Sequence, residues 1–280
     1  MASIGHDCDL FIAAMAAPQG ASYCLQTSSG ARTRPLNALP DRLRAMTLRH
    51  CLVTGANRGV GLEFVRQLLA RGDRVVATCR QPGRASALNA LAGDHPGRLH
   101  VLPLDVADPK SHATLVAELP LALGDGGRLD LLVNGAGVLH SGERFGKVTA
   151  AILDDSFRTN AAGPLLLTQA LAPLLADGAR VANLSSELGS ITDAGRFGTP
   201  SYCISKAAQN MASVLLAHAL RERGIVVVAL HPGWVQTDMG GPNATLPATE
   251  SVRGLLAVID GLAPEDSGSF RDWRGETLPW

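Results

Sequence analysis

The chain runs to 280 residues, of which 46% are hydrophobic and 18% charged, a balance that suits one large globular domain and excludes a disordered protein. Lys and Arg number 25 against 25 Asp and Glu, which leaves no basic excess for nucleic acid or an anionic membrane surface. No apolar run reaches the ~18 residues that a membrane span requires.

Residues 1–47 stand apart from the rest. They are rich in Ala, Ser, Pro and Arg, and their only acidic residues are Asp7, Asp9 and Asp41. Such a segment reads as a disordered extension, as an import leader for an organelle over residues 1–45, or as sequence upstream of a true start at Met46. The cysteines Cys8, Cys24, Cys51, Cys79 and Cys203 show no metal-ligand spacing, so no metal site is expected. Scattered and odd in number, they point to free thiols in a reducing compartment, hence a cytoplasmic protein.

From residue 48 to 280 the chain alternates regularly. Apolar, β-branched runs at 50–54, 74–79, 99–104, 129–134, 179–184 and 225–230 predict strands buried on both faces. Between them, helical periodicity covers 61–71, 83–92, 109–119, 151–175 and 202–223, with a last helix at 249–262 and a short strand around Phe270. Strand–helix alternation of this kind means an α/β domain with a doubly wound parallel sheet.

The first strand runs into Thr54-Gly55-Ala56-Asn57-Arg58-Gly59-Val60-Gly61. Gly55 permits a tight exit from the strand, Gly59 lets backbone approach a ligand, and Gly61 allows close helix–strand packing. Free N–H groups at the helix start then face a pyrophosphate. The spacing is G-x-x-x-G-x-G, and TGANRGVG resembles the nucleotide motif of the short-chain dehydrogenase/reductase family, which implies a single Rossmann-type domain.

The second strand ends Thr78-Cys79-Arg80, without the carboxylate that usually binds an NAD ribose. Arg58 and Arg80 would instead pair with a 2′-phosphate, which selects NADP(H) over NAD(H). The resemblance also implies that Asp105 and Val106 hold the adenine and that Asn134, Ala136 and Gly137, in Asn-Gly-Ala-Gly where the family has Asn-Asn-Ala-Gly, lie along the adenosine. The resemblance further implies that the P-G-x-V-x-T stretch holds the nicotinamide carboxamide through the backbone at Val235 and the Thr237 hydroxyl, with Pro232 and Gly233 supplying a sharply bent backbone.

Tyr202 and Lys206 stand four apart, on one face of a helix. A phenol is a poor acid near neutral pH; a neighbouring ammonium favours the phenolate and should lower its pKa. Upstream lie Asn160, in a helix that Pro164 should perturb, and the strand end Asn183-Leu184-Ser185-Ser186. Asn160, Ser186, Tyr202 and Lys206 in this order resemble the family's catalytic tetrad. That resemblance makes Tyr202 the general acid/base, Lys206 its tuner and ribose ligand, Ser186 the carbonyl-orienting hydroxyl, and Asn160 the holder of a relay water. Strand alternation allows only one of Ser185 and Ser186 to face the tyrosine, and the family pattern favours Ser186.

The stretch Gly240 to Ala244 and the ending Leu278-Pro279-Trp280 resemble the C-factor/sniffer-like carbonyl reductases. The implied activity is NADPH-dependent reduction of a small carbonyl substrate, with a pocket formed by loops 138–147, 187–201 and 238–248. Oxidation of an alcohol by the same tetrad, a non-catalytic dinucleotide sensor, and a sugar-nucleotide epimerase are the alternatives. An intact tetrad argues against the sensor, and the short C-terminal region against the epimerase. Many relatives pair through the helices at 151–175 and 202–223 while others are monomers, so a homodimer is an open expectation.

Overall fold

The computed structural model describes residues 48–280; the extension read at 1–47 lies outside the described residues. Seven strands form one parallel sheet: β1 His50–Thr54, β2 Arg74–Cys79, β3 Leu99–Pro103, β4 Leu129–Asn134, β5 Leu175–Leu184, β6 Val226–His231 and β7 Ser269–Asp272, in the order β3-β2-β1-β4-β5-β6-β7. The chain reverses direction across the sheet between β1 and β4, the topological switch point where open α/β folds bind ligands beyond the carboxyl ends of their strands.

Helices cover both faces. On one, α1 Gly59–Ala70, α2 Ser86–Asp94 and α7 Ala248–Gly261 pack Phe64, Leu68, Leu88, Val252 and Leu255 onto Cys51, Val53, Val75 and Val228. On the other, α3 Pro109–Leu123, α5 Gly163–Leu171 and α6 Pro200–Leu220 pack Leu115, Leu119, Leu167 and Leu216 onto Leu52, Val76, Leu132 and Val181. Successive strand residues thus serve opposite cores, which is why these strands read as unbroken apolar runs. Asp108 caps the start of α3, accepting from the Lys110 N–H at 3.0 Å, with Pro109 in the first turn.

The single helix expected over 151–175 is divided. α4 Ala150–Phe157 passes into a π turn, Arg158–Ala162, before α5 begins. Pro164 has no N–H to return to the carbonyl of Asn160, so the ladder cannot continue in α register. Pro173 then lies in a 3₁₀ turn, Ala172–Leu174, and β5 begins at Leu175 rather than at 179.

Candidate active site

The glycine turn is held at the sheet edge by Thr54, whose hydroxyl accepts from the N–H groups of Gly135 at 3.0 Å and Ala136 at 3.1 Å. Gly55 sits at φ 66°, and a Cβ there would lie 2.7 Å from the Ala136 Cα; one on Gly61 would overlap the Gly55 carbonyl oxygen. No side chain caps the start of α1, and its first turn carries no acidic residue. Its leading N–H groups therefore face the cleft unshielded, as an anion site requires.

The cleft above this turn has a volume of about 440 Å³. Arg80, Asp105 and Val106 line it at the β2 and β3 ends, and Tyr202 and Lys206 line it from α6. Asn57, Arg58, Gly59, Val60, Ala136, Gly137, Pro232 and Thr237 complete the predicted residues along its wall. Arg58, half or more in solvent, pairs with Asp238 at 3.1 Å, a partner that nothing local in the sequence foretells.

Three residues assigned to the cofactor do not line the cleft. The Asn134 side chain is buried beneath it, donating to Thr168 Oγ1 at 3.1 Å and Asn183 Oδ1 at 2.8 Å, and so ties β4 to β5 and α5. Val235 is buried and pairs with Leu246. Gly233, at φ 82°, packs against Leu246 and Trp273, where a side chain would not fit.

At the other end, Tyr202 is 8% and Lys206 3% exposed. Ser186, next to the Tyr202 phenol, acts to lower its pKa, while the Ser186 hydroxyl accepts from the Leu188 N–H at 3.2 Å. The Ser185 hydroxyl donates to Asn210 Oδ1 at 2.5 Å. Lys206 Nζ lies 5.6 Å from the centre of the Tyr202 ring and donates to the Leu184 carbonyl at 2.6 Å and to Gln209 Oε1 at 2.8 Å. The expected lowering of the phenol pKa is not what the structure gives. Burial pushes Tyr202 up to about 12, with Ser186 acting against it, and burial pulls Lys206 down to about 7. Taking both groups out of water penalises each charged form, and this outweighs their mutual influence.

Asn160, in the π turn, grips the loop after β4. Its Oδ1 accepts from Val138 N–H at 2.8 Å, and its Nδ2 donates to Val138 O and to Ser205 Oγ, each at 2.9 Å. A Cβ on Gly137 would come within 3.3 Å of Asn160 Oδ1, so this glycine lets the loop pass close to the lysine. The loop between β5 and α6 arches over a second cavity of about 750 Å³, and Phe197 meets Phe145 of the 138–147 loop edge-to-face at 5.7 Å. Thr199, just before α6, is the sole non-glycine residue with positive φ, at 42°, among the described residues.

Sequence reasoning did not single out Thr54, Gln209 or Asp238. Thr54 opens the glycine motif, and Gln209 stands three residues after Lys206 on the same helix face, a spacing that could have flagged it.

A family model described as short chain dehydrogenase matches residues 49–246. C-signal of Myxococcus xanthus is 51% identical over 156 residues, 55% of this chain and 94% of that protein. The crystal structure of NADPH-bound carbonyl reductase from chicken fatty liver is 41% identical, with a TM-score of 0.79, covering 83% of this chain and 99% of that one. Carbonyl reductase Sniffer of Drosophila melanogaster is 33% identical, also with a TM-score of 0.79, covering 83% and 100%. The chain belongs to the short-chain dehydrogenase family, and with it to the NAD(P)-dependent oxidoreductases. Among the described residues no helix is long and apolar enough to cross a membrane.

Proposed function

We propose that this protein reduces an aldehyde or ketone to the alcohol with NADPH. The observation that carries this reading is the buried Tyr202 phenol with Lys206 one helical turn away, their side chains lining one cleft with the glycine turn, and Ser186 beside the phenol. The uncapped α1 start, the three close-packed glycines and the two arginines fit a phosphorylated dinucleotide: Gly55 to Gly61 would hold the pyrophosphate, and Arg58 and Arg80 the 2′-phosphate. That cofactor, when bound, supplies the hydride.

The chain's own residues handle the oxygen. Ser186 and Tyr202 hydrogen-bond the substrate carbonyl and fix it in the cleft. As charge develops on the oxygen, Ser186 stabilises it and Tyr202 delivers its proton. A phenol with its pKa near 12 stays protonated at neutral pH, so the acid is present before each turnover. An alkoxide is a far stronger base than a phenolate, and the transfer runs downhill. Lys206, when charged, steadies the phenolate left behind. Asn160 holds the Val138 segment against the cleft.

The support for NADPH over NADH is the arginine pair without an acidic residue after β2, together with the NADPH in the chicken carbonyl reductase. Exposed Phe157, Leu166, Ile204, Met211 and Leu215 on α4, α5 and α6 offer an apolar face for a second copy of the chain, and thiols without a pairing pattern suit the cytoplasm. NADPH consumption with a panel of aldehydes, diketones and quinones, in wild type and Tyr202→Phe, tests the reading: turnover confined to wild type supports it.

A further inference from the structure

Lys206 is buried in polar but neutral company. Leu184 O reaches it from β5 and Gln209 Oε1 from its own helix, while the Tyr202 ring lies 5.6 Å away. From the β4 side the neighbour is Gly137, a residue without a side chain. Burial in this company pulls its pKa down.

Gln209 itself is 1% exposed, and its Nε2 has no hydrogen-bond partner. A buried amide with an orphaned donor is costly, and a leucine of similar volume would avoid that cost. The whole polar use of this side chain is its oxygen, and that oxygen is spent on Lys206.

We propose that Gln209 is a positioning residue for the catalytic lysine: its Oε1, with Leu184 O, takes two of the three ammonium protons and leaves the third for the cleft. The inference rests on the reductase reading for its consequence, though not for its geometry. A neutral acceptor at 2.8 Å favours the charged lysine in a place where burial disfavours it. Removing the acceptor must therefore lower the lysine's titration further, and a carboxylate in its place must raise it.

The chain contains three lysines, Lys110, Lys147 and Lys206, so ¹³Cε-lysine NMR on the full-length protein follows Lys206 directly, assigned with Lys206→Met. Gln209→Leu should move the Lys206 titration down by about 1 pH unit and Gln209→Glu should move it up by at least about as much. The basic limb of NADPH-linked carbonyl reduction should move in the same two directions, with kcat falling roughly tenfold in the leucine variant and KM little changed. Gln209→Met, unbranched and close in length, replaces the leucine variant if that one does not fold. Titrations that stay in place, or shift the same way in both variants, overturn the inference. A protein that shows the opposed NMR shifts but turns over no carbonyl keeps this inference and loses the reductase reading instead.

Discussion

Replacing Lys206 with methionine should stabilise the protein at pH 6 and destabilise it at pH 10. The lysine's pKa falls from 10.5 to about 7 in the folded chain, so between those values the unfolded chain binds the extra proton and stability rises with pH. Below pH 7 the folded protein carries the full penalty of a buried ammonium, at most about 5 kcal/mol. Methionine fills similar space without charge but leaves Leu184 O and Gln209 Oε1 without this donor, which costs about 1–3 kcal/mol. The variant therefore gains about 2 kcal/mol at pH 6, a Tm rise of roughly 4–8 °C, and loses up to about 2 kcal/mol at pH 10. There the lost hydrogen bonds outweigh the penalty of under about 1 kcal/mol that is left just below the unfolded lysine's pKa. Urea unfolding of both proteins at pH 6, 8 and 10 measures the difference. A gap between the two that is constant with pH, or that favours methionine more as pH rises, refutes the reasoning.

Arg58→Ser and Arg80→Ser should each weaken NADPH binding by about 10–100-fold in fluorescence titration, as the loss of a charge-assisted hydrogen bond of about 1.5–3 kcal/mol implies, and leave NADH nearly unaffected. Gly61→Ala drives a methyl into the Gly55 carbonyl, so it should cost about 1–3 kcal/mol in thermal unfolding and weaken NADPH and NADH alike. The adjacent serines should separate cleanly: Ser186→Ala lowers kcat by about 10²–10³, whereas Ser185→Ala keeps activity and loses about 1–2 kcal/mol of stability through the orphaned Asn210 oxygen.

The sheet was legible because a strand buried on both faces cannot hide: Cys51 to Val53, Val75 to Ala77 and Val226 to Leu230 are apolar without interruption and have no other use. The glycine turn was legible because Gly55 and Gly61 leave no room for a Cβ. Other features have no local signature. Leu175 stands at the end of the helix expected over 151–175, and it opens β5 because it pairs with Leu129 across the sheet. The break at the π turn could be suspected from Pro164, but the close approach of Gly163 to the Val106 carbonyl could not. Arg58 and Asp238 meet across 180 residues. The sign of the Tyr202 shift was misread because the sequence shows the neighbouring lysine but not the depth at which both side chains lie. Asn134 was placed along the adenosine by its match to the family's Asn-Asn-Ala-Gly, and its side chain turns inward to Thr168 and Asn183.

The proposed chemistry turns on one hydroxyl. NADPH oxidation with a carbonyl substrate, followed by absorbance in wild type and Tyr202→Phe alongside NADPH binding to both, tests it most directly. Turnover in wild type that falls by at least about 10²–10⁴ in the variant, with NADPH binding intact, is the predicted result. Equal turnover in the two proteins would contradict the assignment of Tyr202 as the proton donor, and with it the proposed chemistry.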